Sequence, residues 1–61
     1  MNYKVGDTIK INHLFDEPPG KYAGRTGVII SIDDMGTLHG TWGGLGVVPD
    51  CDDFEVIKSA D

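Results

Sequence analysis

Cys51 is the chain's single thiol, and its setting argues against nucleophilic chemistry. Asp50, Asp52 and Asp53 crowd it, and neighbouring negative charge disfavours the thiolate that attack requires. The order of side chains contains no Ser-His-Asp constellation, nucleophile elbow or activated-cysteine motif. A chain this short also leaves little room for a catalytic cleft. The expectation is a protein that is not an enzyme. Residues 20–26, Gly-Lys-Tyr-Ala-Gly-Arg-Thr, faintly echo a phosphate loop. The echo is one residue short, carries arginine in lysine's place and leads into a strand, whereas a phosphate loop works through a helix N-terminus. A glycine-rich turn is the simpler reading.

Metal chemistry would have to recruit His13, His39, Cys51 and the aspartates near the C-terminus. Their spacing matches no short ligand motif, and the Asp50, Asp52 and Asp53 group lacks the glycine and distal glutamate of a calcium loop. No metal site and no cofactor are expected. His39 reads as an exposed strand residue.

Binding chemistry has more material. Phe15 and Tyr22 flank a loop that carries Asp16, Glu17, Pro18 and Pro19, and Trp42 follows in a later strand. Aromatic side chains give large contact area for little lost rotamer freedom, and acidic neighbours select basic or proline-rich partners. Phe15, Asp16, Glu17, Tyr22 and Trp42 are therefore the candidate binding residues. The same aromatics could instead cap a small core, and Trp42, in phase with Leu38, suits a core or rim position.

Ten acidic residues against five basic ones give a net charge of −5. That balance favours solubility and opposes non-specific attraction to nucleic acid or anionic lipid. Lys4, Lys10, Lys21, Arg25 and Lys58 are scattered along the sequence. Only convergence in space would make them a nucleic-acid surface. One cysteine excludes an internal disulfide. No apolar run approaches the roughly 20 residues of a membrane span, and the polar start MNYKVGD is no signal peptide. The expected setting is cytoplasmic, with no membrane contact.

The elements that must position these residues are short strands in a single domain, residues 1–61. Residues 24–49 read as three antiparallel strands joined by two tight turns. Val28, Ile30 and Ile32 alternate along the first, as one buried face requires. Asp33-Asp34-Met35-Gly36 forms a turn in which Gly36 takes positive φ. Leu38, Gly40 and Trp42 share a face of the second strand. Gly43-Gly44 signals a hairpin, and residues 45–48 form the third strand, stopped by Pro49. Before this unit, residues 8–14 form a strand with Ile9 and Ile11 inward and a bulge or strand end near His13. Two prolines exclude residues 15–23 from a central strand. After the unit, residues 50–53 make one helical or 3₁₀ turn, residues 54–57 close the sheet, and residues 58–61 fray. The expected core is Ile9, Ile11, Val28, Ile30, Ile32, Leu38, Val47 and Phe54, with Tyr3 covering one end. Nine glycines and turn-punctuated alternation point to an all-β chain, its five strands wrapped into a small barrel that hides its edges.

Val5-Gly6-Asp7, the proline-bearing loop, Gly24-x-x-Gly27-x-Ile29, Ile32-Asp33-Asp34-x-Gly36-x-Leu38-His39, Trp42, Leu45-x-Val47-Val48-Pro49 and Phe54-Glu55-Val56-Ile57 form a pattern over residues 5–57. It resembles a family of short, mainly bacterial and phage proteins known as a domain of unknown function. The resemblance implies a five-stranded SH3-like barrel and carries over no functional residue. Many relatives have a longer, polar connection where this chain has Gly43-Gly44. A second resemblance is to the KOW motif of ribosomal and transcription-elongation proteins, through Gly6-Asp7, Gly24 and Gly27-Val28. It implies RNA or protein binding, although the acidic loop departs from the RNA-binding version.

Together these readings predict a non-catalytic interaction module that binds a protein or peptide partner. The competing expectation is a KOW-like binder of RNA or DNA, or a ribosome- or transcription-associated accessory protein. A third is a purely structural or self-associating element. Lys10, Lys21 and Arg25 converging beside an exposed aromatic would favour nucleic acid.

Overall fold

The computed structural model describes residues 3–15, 18, 22–44 and 46–60. Strands β1 (Thr8–His13), β2 (Thr26–Ile32), β3 (Leu38–Gly40) and β4 (Asp53–Lys58) form one antiparallel sheet in the order β3-β2-β1-β4. The chain is all-β. No helix among the described residues is long and apolar enough to cross a membrane.

Among the described residues no fifth strand forms, and the described sheet does not close into a barrel. Val47 contributes one bridge to Leu38, through reciprocal main-chain hydrogen bonds of 2.8 and 2.9 Å. Gly43, Gly44 and Gly46 before it and Pro49 after it leave too short a run for a ladder. Leu45 lies outside the described residues.

β1 follows its sequence pattern. Ile9 and Ile11 are fully buried while Thr8, Lys10, Asn12 and His13 are not. The pairing with β4 shifts register between Ile11 and His13, so the chain changes phase where the sequence required it, and Leu14 turns into the core.

β2 departs from its pattern. Ile29 is 0% exposed and Ile30 is 60% exposed, so Ile30 leaves the core list and Ile29 takes its place. Val28 is half-buried. Thr8 pairs with Val28 and Ile9 with Gly27, which puts Gly27 and Ile29 on the same face as the buried Ile9. The register with β3 then shifts between Ile29 and Ser31. That bulge turns the half-buried Ile32 back towards the core opposite Leu38. The first half of β2 pairs with β1 and the second half with β3, so the bulge lies where the strand passes from one neighbour to the other.

The core is Ile9, Ile11, Leu14, Ile29, Leu38, Trp42 and Val47, with Tyr3, Tyr22, Ile32, Phe54 and Val56 packed against it. Gly36 has φ 86° in the turn between β2 and β3, as expected. The turn is clamped by Asp33, whose Oδ1 accepts the N–H groups of Met35 (2.9 Å) and Thr37 (3.0 Å). Residues 48–52 make a single turn in which the Val48 carbonyl accepts from the Cys51 and Asp52 N–H groups.

The C-terminal segment is held in place, against the expectation of fraying. The Asp7 carboxylate is 2% exposed and accepts the Ala60 N–H at 2.7 Å and the Lys4 N–H at 3.0 Å. Lys4 Nζ adds an ion pair at 3.5 Å and a hydrogen bond to Ser59 Oγ. One carboxylate thus ties the residues before β1 to those after β4.

These clamps set a pH dependence. The Ala60 N–H, then the Lys4 groups, hold the Asp7 carboxyl below its ordinary 3.8. His39 Nε2, 2.9 Å from Asp33 Oδ2, leads the causes that lower Asp33, with the Thr37 and Met35 N–H groups adding. A depressed carboxylate means the unfolded chain binds protons first as pH falls. Its stabilisation is complete above the unfolded value near 4 and is lost as pH drops through the lower folded values. The thermal midpoint should therefore be flat from about pH 7 to 5 and fall steeply below about 4. Asp7→Asn should start lower at neutral pH and show a shallower acid limb. An unchanged acid limb in that variant would remove Asp7 from the account.

Candidate functional site

The sequence-predicted binding residues do not form one surface. Trp42 is 2% exposed. Its indole folds back over Gly27 and Gly40 into the core, which settles its place as a core residue. Tyr22 is half-buried against the same core, and the Arg25 guanidinium lies 4.8 Å from its ring centroid. Arg25 Nη1 also donates to the Trp42 carbonyl at 3.0 Å, tying the segment before β2 to the turn after β3. Phe15 alone of the three aromatics is open to solvent, at 68%. Its N–H donates to Asp52 Oδ1 at 2.6 Å, while Asp52 Oδ2 accepts the Val48 N–H at 2.7 Å. Asp16 and Glu17 lie outside the described residues.

The structure brings a different set together. Tyr3, Pro49, Phe54, Glu55 and Val56 line an open groove of about 330 Å³ beside β4. β4 is an edge strand, and this is why its inner face is only half covered. Phe54 and Val56 pair with Ile11 and Ile9, whose side chains are fully buried, yet Phe54 and Val56 keep partial exposure. Tyr3 reaches over from the residues before β1 and meets the Phe54 ring edge-on at 5.7 Å, a favoured aromatic geometry. Pro49, in the turn that Asp52 holds, forms the other wall. Asp53 and Glu55 are exposed on the opposite phase of the strand.

Sequence reasoning placed Phe54 in the core and Tyr3 over one end of it, and did not see a groove. No sequence signal marked it, because the order of strands along the chain does not say which of them will pair on one side only and keep its inward residues half-open.

The groove offers two aromatic rings, a proline and an aliphatic side chain with a carboxylate at the rim. Among the described residues, no three His, Cys, Asp or Glu side chains gather to hold a metal ion. Cys51 is exposed and unbridged. His39 and Asp33 form a hydrogen-bonded pair on an exposed turn, where Asp33 is occupied in holding the backbone.

Fold and groove define a small all-β domain with an aromatic-lined edge. Residues 1–57 match the family model described as a domain of unknown function (DUF4314), and the chain belongs to that family. No curated protein and no solved structure matched the chain.

Proposed function

We propose that the domain is a non-catalytic interaction module that binds a protein partner through the groove beside β4. The observation that supports this most is the half-exposed Tyr3–Phe54 pair with Pro49 and Val56. Partly open aromatics of this kind supply binding energy on contact, whereas a buried ring such as Trp42 cannot. We further infer a partly open SH3-like architecture: β2 bends at its bulge between two neighbours, and Val47 stands where a further strand would run. The exposed Cys51 thiol suits a reducing, cytoplasmic compartment.

A nucleic-acid reading draws less support. Lys10 sits opposite Glu55 across the β1–β4 ladder, and Arg25 is engaged by the Tyr22 ring and the Trp42 carbonyl. Lys21 lies outside the described residues.

The test is site-specific photocrosslinking in the native cell. A photoreactive phenylalanine analogue in place of Tyr3, whose ring lines the groove, should give a discrete protein adduct that the same residue at position 35 does not, since Met35 is 91% exposed on the turn after β2, two strands from β4. Equal labelling at both positions, or adducts with RNA or DNA, would sink the proposal.

A further inference from the structure

The open edge of β4 carries more information than the groove alone. In an antiparallel ladder each residue turns both its main-chain polar groups to one side, and consecutive residues alternate. On β1, the Ile11 N–H donates to the Arg25 carbonyl and the Ile11 carbonyl accepts from Gly24, while the Asp7 carbonyl accepts from Ile29. Asp7 and Ile11 therefore face β2, and the intervening Lys10 faces β4, opposite Glu55. Glu55 accordingly turns its N–H and carbonyl inward to β1. Phe54 and Val56, the residues that line the groove, turn theirs outward. No described strand lies on that side, and no main-chain hydrogen bond from Phe54 or Val56 to a described loop is formed. Unpaired edge groups of this kind template a further strand.

The side chains say what kind of strand fits. An added strand continues the pleat, so its alternate side chains fall beside Phe54 and Val56, into the groove, or on the face that carries Asp53 and Glu55. The first set meets apolar surface. The second meets the exposed carboxylates of Asp53 and Glu55, the latter beside Lys10 across the ladder, on a chain of net charge −5; the acidic excess disfavours an acidic segment or a second copy and favours a basic one.

We propose that β4 is a strand-addition site for an extended segment in which apolar and basic side chains alternate, its main chain pairing with Phe54 and Val56. This rests on the groove reading above and adds the mode of binding and the partner's chemistry.

A random heptapeptide phage library selected against the immobilised full chain provides the probe, and the enriched peptides are then synthesised. The selected sequences should alternate Lys or Arg with apolar residues. In the bound state the Phe54 and Val56 amides should gain protection from hydrogen exchange. N-methylation of the peptide nitrogens that face the edge should weaken binding by about tenfold or more, and of the alternate nitrogens much less. Replacing both Asp53 and Glu55 by Lys, at exposed positions, should weaken it by a similar factor. If peptides bind and perturb Tyr3, Pro49 and Phe54 yet N-methylation is neutral everywhere, strand addition fails and the groove reading stands. If selection enriches nothing over bare support, or the bound peptides perturb another face, both fail. A dimer in sedimentation, with the Phe54 and Val56 amides already protected, would give the edge to a second copy and overturn the proposal.

Discussion

Ile29→Ala should destabilise the domain by about 2–5 kcal/mol, while Ile30→Ala, one residue along the same strand, should stay within about 0.5 kcal/mol. Ile29 has no exposed surface and packs among Ile9, Ile11, Leu38 and Val47. Truncation removes apolar contact and leaves a cavity that so small a core cannot refill by moving a second layer. Ile30 is mostly in solvent and loses little. Small domains are stable by only about 5–15 kcal/mol, and this one sits at the short end of the range. The Ile29 variant should therefore show a large drop in urea midpoint, and the Ile30 variant almost none. Equal effects, or a larger one at Ile30, would mean that the inner face of β2 has been assigned to the wrong phase.

The second large effect should come from adding a single methyl group. A Cβ at Gly40 would collide with the six-membered ring of Trp42 and with the Val28 carbonyl oxygen. The carbonyl cannot yield, because it accepts the Thr41 N–H at 3.1 Å beside the β2–β3 ladder. The indole cannot yield either, because it fills the core. Overpacking of this kind costs about 1–3 kcal/mol and occasionally more, and here two rigid neighbours oppose the new atom at once. Gly40→Ala should lower the thermal midpoint well beyond Gly44→Ala, since Gly44 has nothing within 4 Å of its added Cβ and meets only the strain of its φ of 98°. If the two variants melt together, the packing of Trp42 on Gly40 is not what restricts this position.

The sequence made some of this legible and hid the rest for definable reasons. In β1, Ile9 and Ile11 stand between Thr8, Lys10 and Asn12, so one phase alone buries the apolar set. In β2, Val28, Ile29 and Ile30 are all apolar, and period-2 reasoning has no contrast to work with; the choice of Ile30 over Ile29 followed the wrong member of an ambiguous run. The β1 partners that fix the phase, Thr8 opposite Val28 and Ile9 opposite Gly27, are known only once the strands are placed. Asp33 and Gly36 were readable because their partners lie within a few residues. Asp7 was not, because its strongest partner is Ala60, 53 positions away. Trp42 was left between core and surface in the sequence. The two glycines under its ring resolve it, and they do so only in three dimensions. The groove stayed hidden for a related reason. Tyr3 and Phe54 are ordinary core candidates by type, and their partial exposure comes from β4 having a neighbour on one side only.

The clasp at Asp7 also bears on how the domain responds to being stretched. Thr8, at the start of β1, pairs with Lys58, at the end of β4, so the two ends of the sheet's central and outer strands leave the molecule from the same corner. Tension applied to those ends loads the Tyr3–Phe54 and Lys4–Ser59 contacts and the Asp7–Ala60 hydrogen bond before the β1–β4 rungs, which then part in succession, one pair at a time. Strands loaded this way give way at low force, because no two rungs share the load. Pulled from those ends, β4 is expected to part from β1 at lower force than a pair loaded along its strands.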